Sequence, residues 1–340
     1  MKSYTDIGQF RNTIKSVRER HDYCGRDENN KARFKHDTPY PTLRFRGTVK
    51  LHGTNSGIVA WKDSDGNIER YDFQTRERVI DINDLPDDDN YDFAKEMLAK
   101  DYKKLFDGIE FNESCGIYGE WCGSSIQKKV GITHLPKMLV IFAIRIDDVY
   151  HNIDEFPQLI SEDERIFNIL QFGTFEMVID FNNPQLIQND LIELMLQVEN
   201  ECPVAKYFGI EGRGEGIVWE YINNDVKYVF KVKGEKHQSS KIKKLVTVDV
   251  EAIKNIQEFI EYAVTENRMS QGVDKMKELG KPIDETTTGD YLRWVYHDVI
   301  KEESDTMVES GIDPKKIGSA ISAKARVFWF KYLDDNVYNL

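Results

Sequence analysis

The run Leu43-Arg44-Phe45-Arg46-Gly47-Thr48-Val49 leads directly into Lys50-Leu51-His52-Gly53-Thr54-Asn55, and the rest of the chain is organised around this stretch. Apolar and polar residues alternate up to Val49, the pattern of a half-buried strand. Gly57-Ile58-Val59-Ala60-Trp61 predicts a second strand, so the two are expected to form a hairpin with Lys50 at its turn. A lysine fixed at its backbone and free at its amine is what a covalent nucleophile needs. A surface hairpin with a chance lysine gives the same local pattern, and the hexapeptide alone favours that plainer reading.

The chain has 340 residues, enough for two domains, and is 40% hydrophobic and 31% charged. No apolar run approaches the ~18 residues of a membrane span, and the N-terminal residues lack a signal-peptide core. A cytoplasmic, monomeric protein with no membrane contact is therefore expected. Cys24, Cys115, Cys122 and Cys202 form no CxxC pair, which points to thiols in a reducing compartment rather than to disulfides or zinc. The net charge of −13 argues against nucleic acid, but its distribution does not. Residues 227–244 hold Lys227, Lys231, Lys233, Lys236, Lys241, Lys243 and Lys244 against Glu235 alone, a patch able to bind phosphates or simply to be solvated.

Ile7, Phe10, Ile14 and Val17 recur at helical spacing and predict a helix over 6–20. A polar connector spans 24–42. Beyond the Lys50 stretch come a turn at Ser64-Asp65-Gly66, a strand through Tyr71–Arg76, a solvated acidic loop at Asp87-Asp88-Asp89 and a helix over 91–106. Strands are predicted at 114–121 and 137–146. Pro184 opens a helix, and 214–220 with 227–233 read as a hairpin joined by Asn223-Asn224-Asp225. Three apolar-periodic helices follow, around Ile256, Val295 and Ile321. The expected architecture is α+β: a domain of antiparallel sheets with flanking helices over 1–244 and a small all-helical domain over 245–340, with the basic stretch 234–244 as linker.

Four segments stand behind Lys50. Tyr118-Gly119-Glu120-Trp121 puts a carboxylate at a strand end, and Phe142 puts a ring in the next strand. Glu215-Gly216 opens one strand of the hairpin, and Lys231-x-Lys233 closes its partner. Residues two apart in a strand share a face, so the two lysines point the same way. In this order the segments resemble the covalent nucleotidyltransferases, the lysine-adenylating ligases and capping enzymes with their ATP-grasp-like ligase domain. The chain most resembles the RNA ligase 2 family, which includes phage double-strand RNA ligases and RNA-editing ligases. The resemblance rests on Lys50-x-His52-Gly53-Thr54-Asn55, Arg76, Tyr118–Trp121, Gly123–Lys128, Phe142, Glu215-Gly216 and Lys231-x-Lys233, and spans about residues 43–245. His52 favours this family over DNA ligases and capping enzymes, which usually carry aspartate there.

The resemblance implies a three-step reaction on ATP with Mg²⁺ or Mn²⁺. Lys50 takes AMP from ATP, AMP passes to an RNA 5′-phosphate, and a 3′-hydroxyl displaces it, with nicks in duplex RNA as the expected substrate. It further implies that Glu120 binds ribose, Phe142 stacks on adenine, and Arg76 and Asn55 orient ribose and phosphates. His52 would act in the nucleic-acid steps and Glu215 would hold the metal. Lys231 and Lys233 would offset phosphate charge, and neighbouring cations also favour the neutral amine that a nucleophilic lysine needs. Val49 and Leu51 flank the nucleophile in the nucleotide site. Three positions depart from the family pattern: Val49 for a glutamate that helps recognise adenine, Ala143 for an aspartate, and Glu220 for a lysine. DNA sealing, GTP-dependent capping and RNA binding without catalysis are the alternatives.

Overall fold

A computed structural model describes residues 1–85, 87–127, 130–223, 226–234 and 255–337. The chain opens with β1 (Gly8–Gln9) and α1 (Phe10–Asp22), whose Phe10, Ile14 and Val17 are buried. The helix starts later than its periodicity predicts because Gly8 and Gln9 pair in parallel with a distant strand. The polar connector is not structureless: β2 (Tyr23–Arg26) and β3 (Ala32–Phe34) form a small antiparallel ribbon.

Next come β4 (Thr42–Lys50), β5 (Thr54–Lys62) and β6 (Ile68–Thr75). Along β4 the residues Phe45, Gly47 and Val49 are buried and their neighbours are not, as the alternation requires. The expected hairpin does not form. β4 and β5 lie in different sheets, and residues 51–53 carry the chain from one to the other. Gly53 makes the crossing possible: a Cβ there would stand 2.4 Å from Trp121 O and 2.7 Å from Cys122 Cβ.

The helix expected over 91–106 is broken into α2 (Phe93–Leu98) and a 3-10 turn at Tyr102–Phe106. The break lets Tyr102 and Phe106 each reach Tyr71, at 5.4 Å between ring centroids in both cases. The acidic run before it is structural rather than merely solvated. Asp88 pairs with Arg78 at 2.6 Å, and Asp89 accepts from the backbone N–H groups of Ala94 and Lys95 at the start of α2.

β7 (Ser114–Cys122), β8 (Met138–Ile146), β9 (Val149–His151), β10 (Ile166–Asn168) and β11 (Phe175–Asp180) follow. After them come α3 (Gln188–Asn200), α4 (Pro203–Tyr207), β12 (Gly216–Asn223) and β13 (Val226–Lys233). One sheet has the order β1-β13-β12-β4-β11; the other runs β10-β8-β7-β5-β6, with β9 on β8. The β11–β4, β12–β4, β5–β6, β5–β7, β7–β8 and β8–β9 pairs are antiparallel, whereas β1–β13 and β10–β8 are parallel. The inner strands of the second sheet bury Ile58, Ala60, Ile117, Trp121, Ile141 and Ile144 against Phe73, Phe93, Met97 and Phe106.

Two compact units divide the chain, Met1–Val232 and Lys233–Leu340. From residue 255 on, the described residues of the second form the helices α5 (Ile256–Ala263), α6 (Glu266–Glu278), α7 (Thr288–Glu302), α8 (Ser304–Glu309) and α9 (Gly318–Val337). Phe259, Ile260, Val273, Tyr291, Val295, Ile321 and Trp329 form its core. Arg268 is buried within it, held by Asp298 at 2.8 Å and by the equally buried Glu303 at 3.1 Å. Among the described residues no helix is long and apolar enough to cross a membrane. The basic stretch at 235–244 and the turn residues Asn224 and Asp225 lie outside the described residues.

Candidate active site

Lys50 ends β4 opposite Gly216, the first residue of β12, so register alone puts Glu215 beside it. Lys50 Nζ donates to Glu215 Oε2 at 2.7 Å and to Leu51 O at 3.3 Å. His52 Nδ1 stands 3.4 Å from the same carboxylate oxygen. The Glu215 side chain is only 3% exposed, against 19% for Lys50 and 23% for His52. A buried carboxylate thus holds a partly accessible amine and an imidazole at one point.

The second sheet supplies the other wall. Asn55 on β5 lies directly across from Glu120 on β7, so both side chains leave the same face. Glu120 Oε1 accepts from Gly53 N–H at 2.9 Å, which ties the Lys50–Gly53 segment to β7. Burial pushes the Glu120 carboxyl above its ordinary range and Glu215 adds to the rise, while Lys50, Arg76 and the Gly53 N–H pull it back. Arg76 follows β6 and approaches Asp6 at 3.6 Å. Asn55 Nδ2 and Arg76 Nε are buried and make no hydrogen bond among the described residues. Such donors normally carry a partner.

Phe142 is set by a bulge. Tyr118 faces Ala143 and Gly119 faces Ile141, which leaves Phe142 as the extra residue of β8. A bulge of this kind re-aims one side chain without disturbing the rest of the ladder. Gly119 accommodates it, since a Cβ there would stand 2.8 Å from Val140 O. The ring packs edge-on against Tyr4 at 4.9 Å.

Val49 and Leu51, placed in the nucleotide site by their position in the sequence, are buried core side chains, 4% and 5% exposed. Lys231 and Lys233 stand on β13, two strands from β4, or about 10 Å at the backbone. The Glu220 departure is answered from the neighbouring strand: Lys227 Nζ lies 2.6 Å from Glu220 Oε2. Lys227 therefore leaves the expected basic patch. Its side chain is 9% exposed, and its ammonium lies over Tyr150 at 4.1 Å and Tyr4 at 4.9 Å. Sequence reasoning missed Tyr4 altogether, because its short N-terminal segment has no periodicity to mark it. Ser3 O and Lys2 O of that segment accept from Arg145 and Tyr118.

A protein-family model described as RNA ligase matches residues 44–233 of the chain. A search of curated proteins found no match. Among solved structures, an RNA ligase of Naegleria gruberi with PPi is 16% identical, with a TM-score of 0.41 over 69% of this chain and 56% of that one. A lysine-to-alanine variant of a Naegleria gruberi RNA ligase with ATP and Mn gives 14% identity, a TM-score of 0.42 and the same shares, 69% and 56%. A structure titled Pmar-Lig_PreS3 is 12% identical, with a TM-score of 0.31 over 56% of this chain and 43% of that one. The chain thus spans little more than half the length of the Naegleria structures it resembles.

Proposed function

The chain belongs to the RNA ligase family, and from this membership and its lysine–carboxylate–imidazole cluster we propose that it is an ATP-dependent ligase joining RNA 3′-hydroxyl and 5′-phosphate ends. The observation that carries the proposal is Lys50 Nζ at 2.7 Å from the buried Glu215 Oε2. A lysine amine attacks phosphorus only when neutral, and Glu215 is the hydrogen-bonded group available to accept its proton. In the first step the Lys50 lone pair forms an N–P bond to the α-phosphate of ATP, and pyrophosphate leaves with the electrons of the broken P–O bond. In the second, an RNA 5′-phosphate oxygen takes AMP from Lys50. In the third, a 3′-hydroxyl attacks that 5′-phosphate and AMP leaves.

Unmet donors support a nucleotide at this place. Asn55 Nδ2 and Arg76 Nε, buried beside Glu120, suit the oxygens of ribose and phosphate. Glu120 would receive ribose hydroxyls and the bulged Phe142 would stack on the base. His52, partly exposed beside Glu215, would meet the RNA end, and Lys231 and Lys233 would balance phosphate charge. Glu215 also fits a divalent ion, since Mg²⁺ and Mn²⁺ take hard oxygen donors. Such an ion would offset phosphate charge during the transfer. Residues 1–244 would then be the adenylyltransferase part, and the helical part would contact duplex RNA through its shape and phosphates. Nicked duplexes are the substrate we assign.

Intact mass after incubation with ATP and Mg²⁺ tests this. The protein gains one AMP, whereas Lys50→Ala does not and GTP is not used. Labelling that survives Lys50→Ala overturns the assignment, and no labelling with any nucleotide leaves RNA binding without catalysis.

A further inference from the structure

Away from Lys50, the base of the β2–β3 ribbon gathers two histidines and an aspartate. His21 and Asp22 end α1 on one side, and His36 follows β3 on the other. His21 Nδ1 and His36 Nδ1 each stand 3.0 Å from Asp22 Oδ1. One ligand atom from each of the three residues falls within 4.8 Å of the others, and this is the one such group among the described residues. We propose that His21, Asp22 and His36 bind a divalent transition-metal ion of the zinc class.

The donor chemistry suits that ion: two imidazole nitrogens and one carboxylate oxygen, with a fourth position left for water. Zinc bonds of about 2.0–2.1 Å put neighbouring ligands of a tetrahedron about 3.3 Å apart. The two 3.0 Å separations need to open by only a few tenths of an ångström. The surroundings are also those of a ligand set. His21 Nε2 lies 3.1 Å from Thr38 Oγ1, and Asp22 Oδ2 accepts from Tyr40 O–H at 3.1 Å. A Thr38 hydroxyl that accepts from Nε2–H selects the His21 tautomer whose Nδ1 lone pair is free to bind a metal. Outer partners that fix an imidazole tautomer and hold the second carboxylate oxygen are what metal ligands carry.

Access and backbone agree. His36 is half exposed, its side chain at 51%, so an ion and its water can approach. The Tyr40 ring lies 4.3 Å from that of His36 and 5.3 Å from that of His21, closing the other side. Arg18 rests over the Tyr40 ring at 4.9 Å and donates through Nε and Nη2 to Phe181 O. Lys35 N–H donates to Asp22 O at 2.7 Å, so the ribbon is already closed at the point where the ion would staple it.

Co²⁺ and then Zn²⁺ are titrated into chelator-stripped full-length protein in excess Mg²⁺, which occupies oxygen sites but does not compete for imidazole. The expected result is one equivalent of Co²⁺ with the visible absorption of a low-coordinate site, displaced by Zn²⁺. His36→Ala and Asp22→Asn each weaken binding by about tenfold or more. Lys50→Ala and Cys24→Ser leave it unchanged, which separates the site from the ligase reading and from thiol binding. His36→Gln guards against misfolding: it keeps a hydrogen-bonding side chain but loses the nitrogen ligand, so it is expected to stay folded and to lose zinc. No saturable binding at about 100 μM free Zn²⁺, or binding that survives both His36→Gln and Asp22→Asn, overturns the proposal and leaves a hydrogen-bonded clasp.

Discussion

Removing Lys227 should destabilise the first unit more than removing any solvated lysine. Its Nζ lies 2.6 Å from Glu220 Oε2, and the two side chains are 9% and 18% exposed. At an effective dielectric of about 20, such a pair attracts by roughly 6 kcal/mol before desolvation is charged against it. The geometry is that of an ion pair rather than an aligned hydrogen bond, since Nζ has no hydrogen-bond partner among the described residues. The Tyr150 and Tyr4 faces add about 1–2 kcal/mol of cation–π attraction. Lys227→Met keeps the stem but strands Glu220, at a cost of about 3–5 kcal/mol. At roughly 2–4 °C per kcal/mol for a unit of this size, melting falls by about 6–20 °C. Glu220→Gln leaves the ammonium on its two rings and should cost about 2 kcal/mol. The double variant should recover about 3 kcal/mol of the summed loss, because neither charge is then left alone. A charge swap, Glu220→Lys with Lys227→Glu, should recover less, since the rings would then face a carboxylate. Urea unfolding of the unaltered protein, the two single variants and their double variant gives the coupling energy. Coupling below about 0.5 kcal/mol would mean that the two side chains act independently and would refute the reasoning.

Gly53→Ala should cost about 1–3 kcal/mol by overpacking against Trp121 O and should also lower adenylation, because the shift moves Lys50; normal stability and activity by denaturation and AMP labelling would refute this. Burial raises the Glu120 carboxyl above its unfolded value, so its contribution is full below the unfolded pKa of about 4.3 and is lost as pH rises through the higher folded one. The melting difference between Glu120→Gln and the unaltered protein should therefore grow in the variant's favour as pH rises from about 4, and a pH-independent difference would count against it. Burial also raises the thiols of Cys115, Cys122 and Cys202, so Ellman's reagent should titrate Cys24 rapidly and the other three only on unfolding. Arg268→Met should destabilise the helical unit by about 3–5 kcal/mol through the stranded Glu303, as read by calorimetry.

Much of the architecture was legible in the residues. The strands at 42–50, 114–122 and 138–146 follow from alternation and apolar runs, and the helices around Ile256, Val295 and Ile321 from their apolar spacing. The neighbourhood of Lys50 and Glu215 could be anticipated from motif order, though no contact could. What escaped was whatever depends on a distant partner. A strand after a tight turn looks the same whether it pairs with its predecessor or crosses to another sheet, and only the room at Gly53 beneath Trp121 and the Glu120 carboxylate decides for crossing. The extra residue that re-aims Phe142 exists only in the register between β7 and β8. Lys227 looked like one member of a basic run until Glu220 and two tyrosines enclosed it. His21 and His36, fifteen positions apart and the second of them inside an unremarkable polar connector, met only once β2 and β3 had paired. Periodicity, caps and turn chemistry act within a few residues and are written locally in the sequence, so they determined the elements. Pairing partners, bulges and buried charges are settled by which distant surfaces exclude water together, and that is decided only when the whole chain has folded.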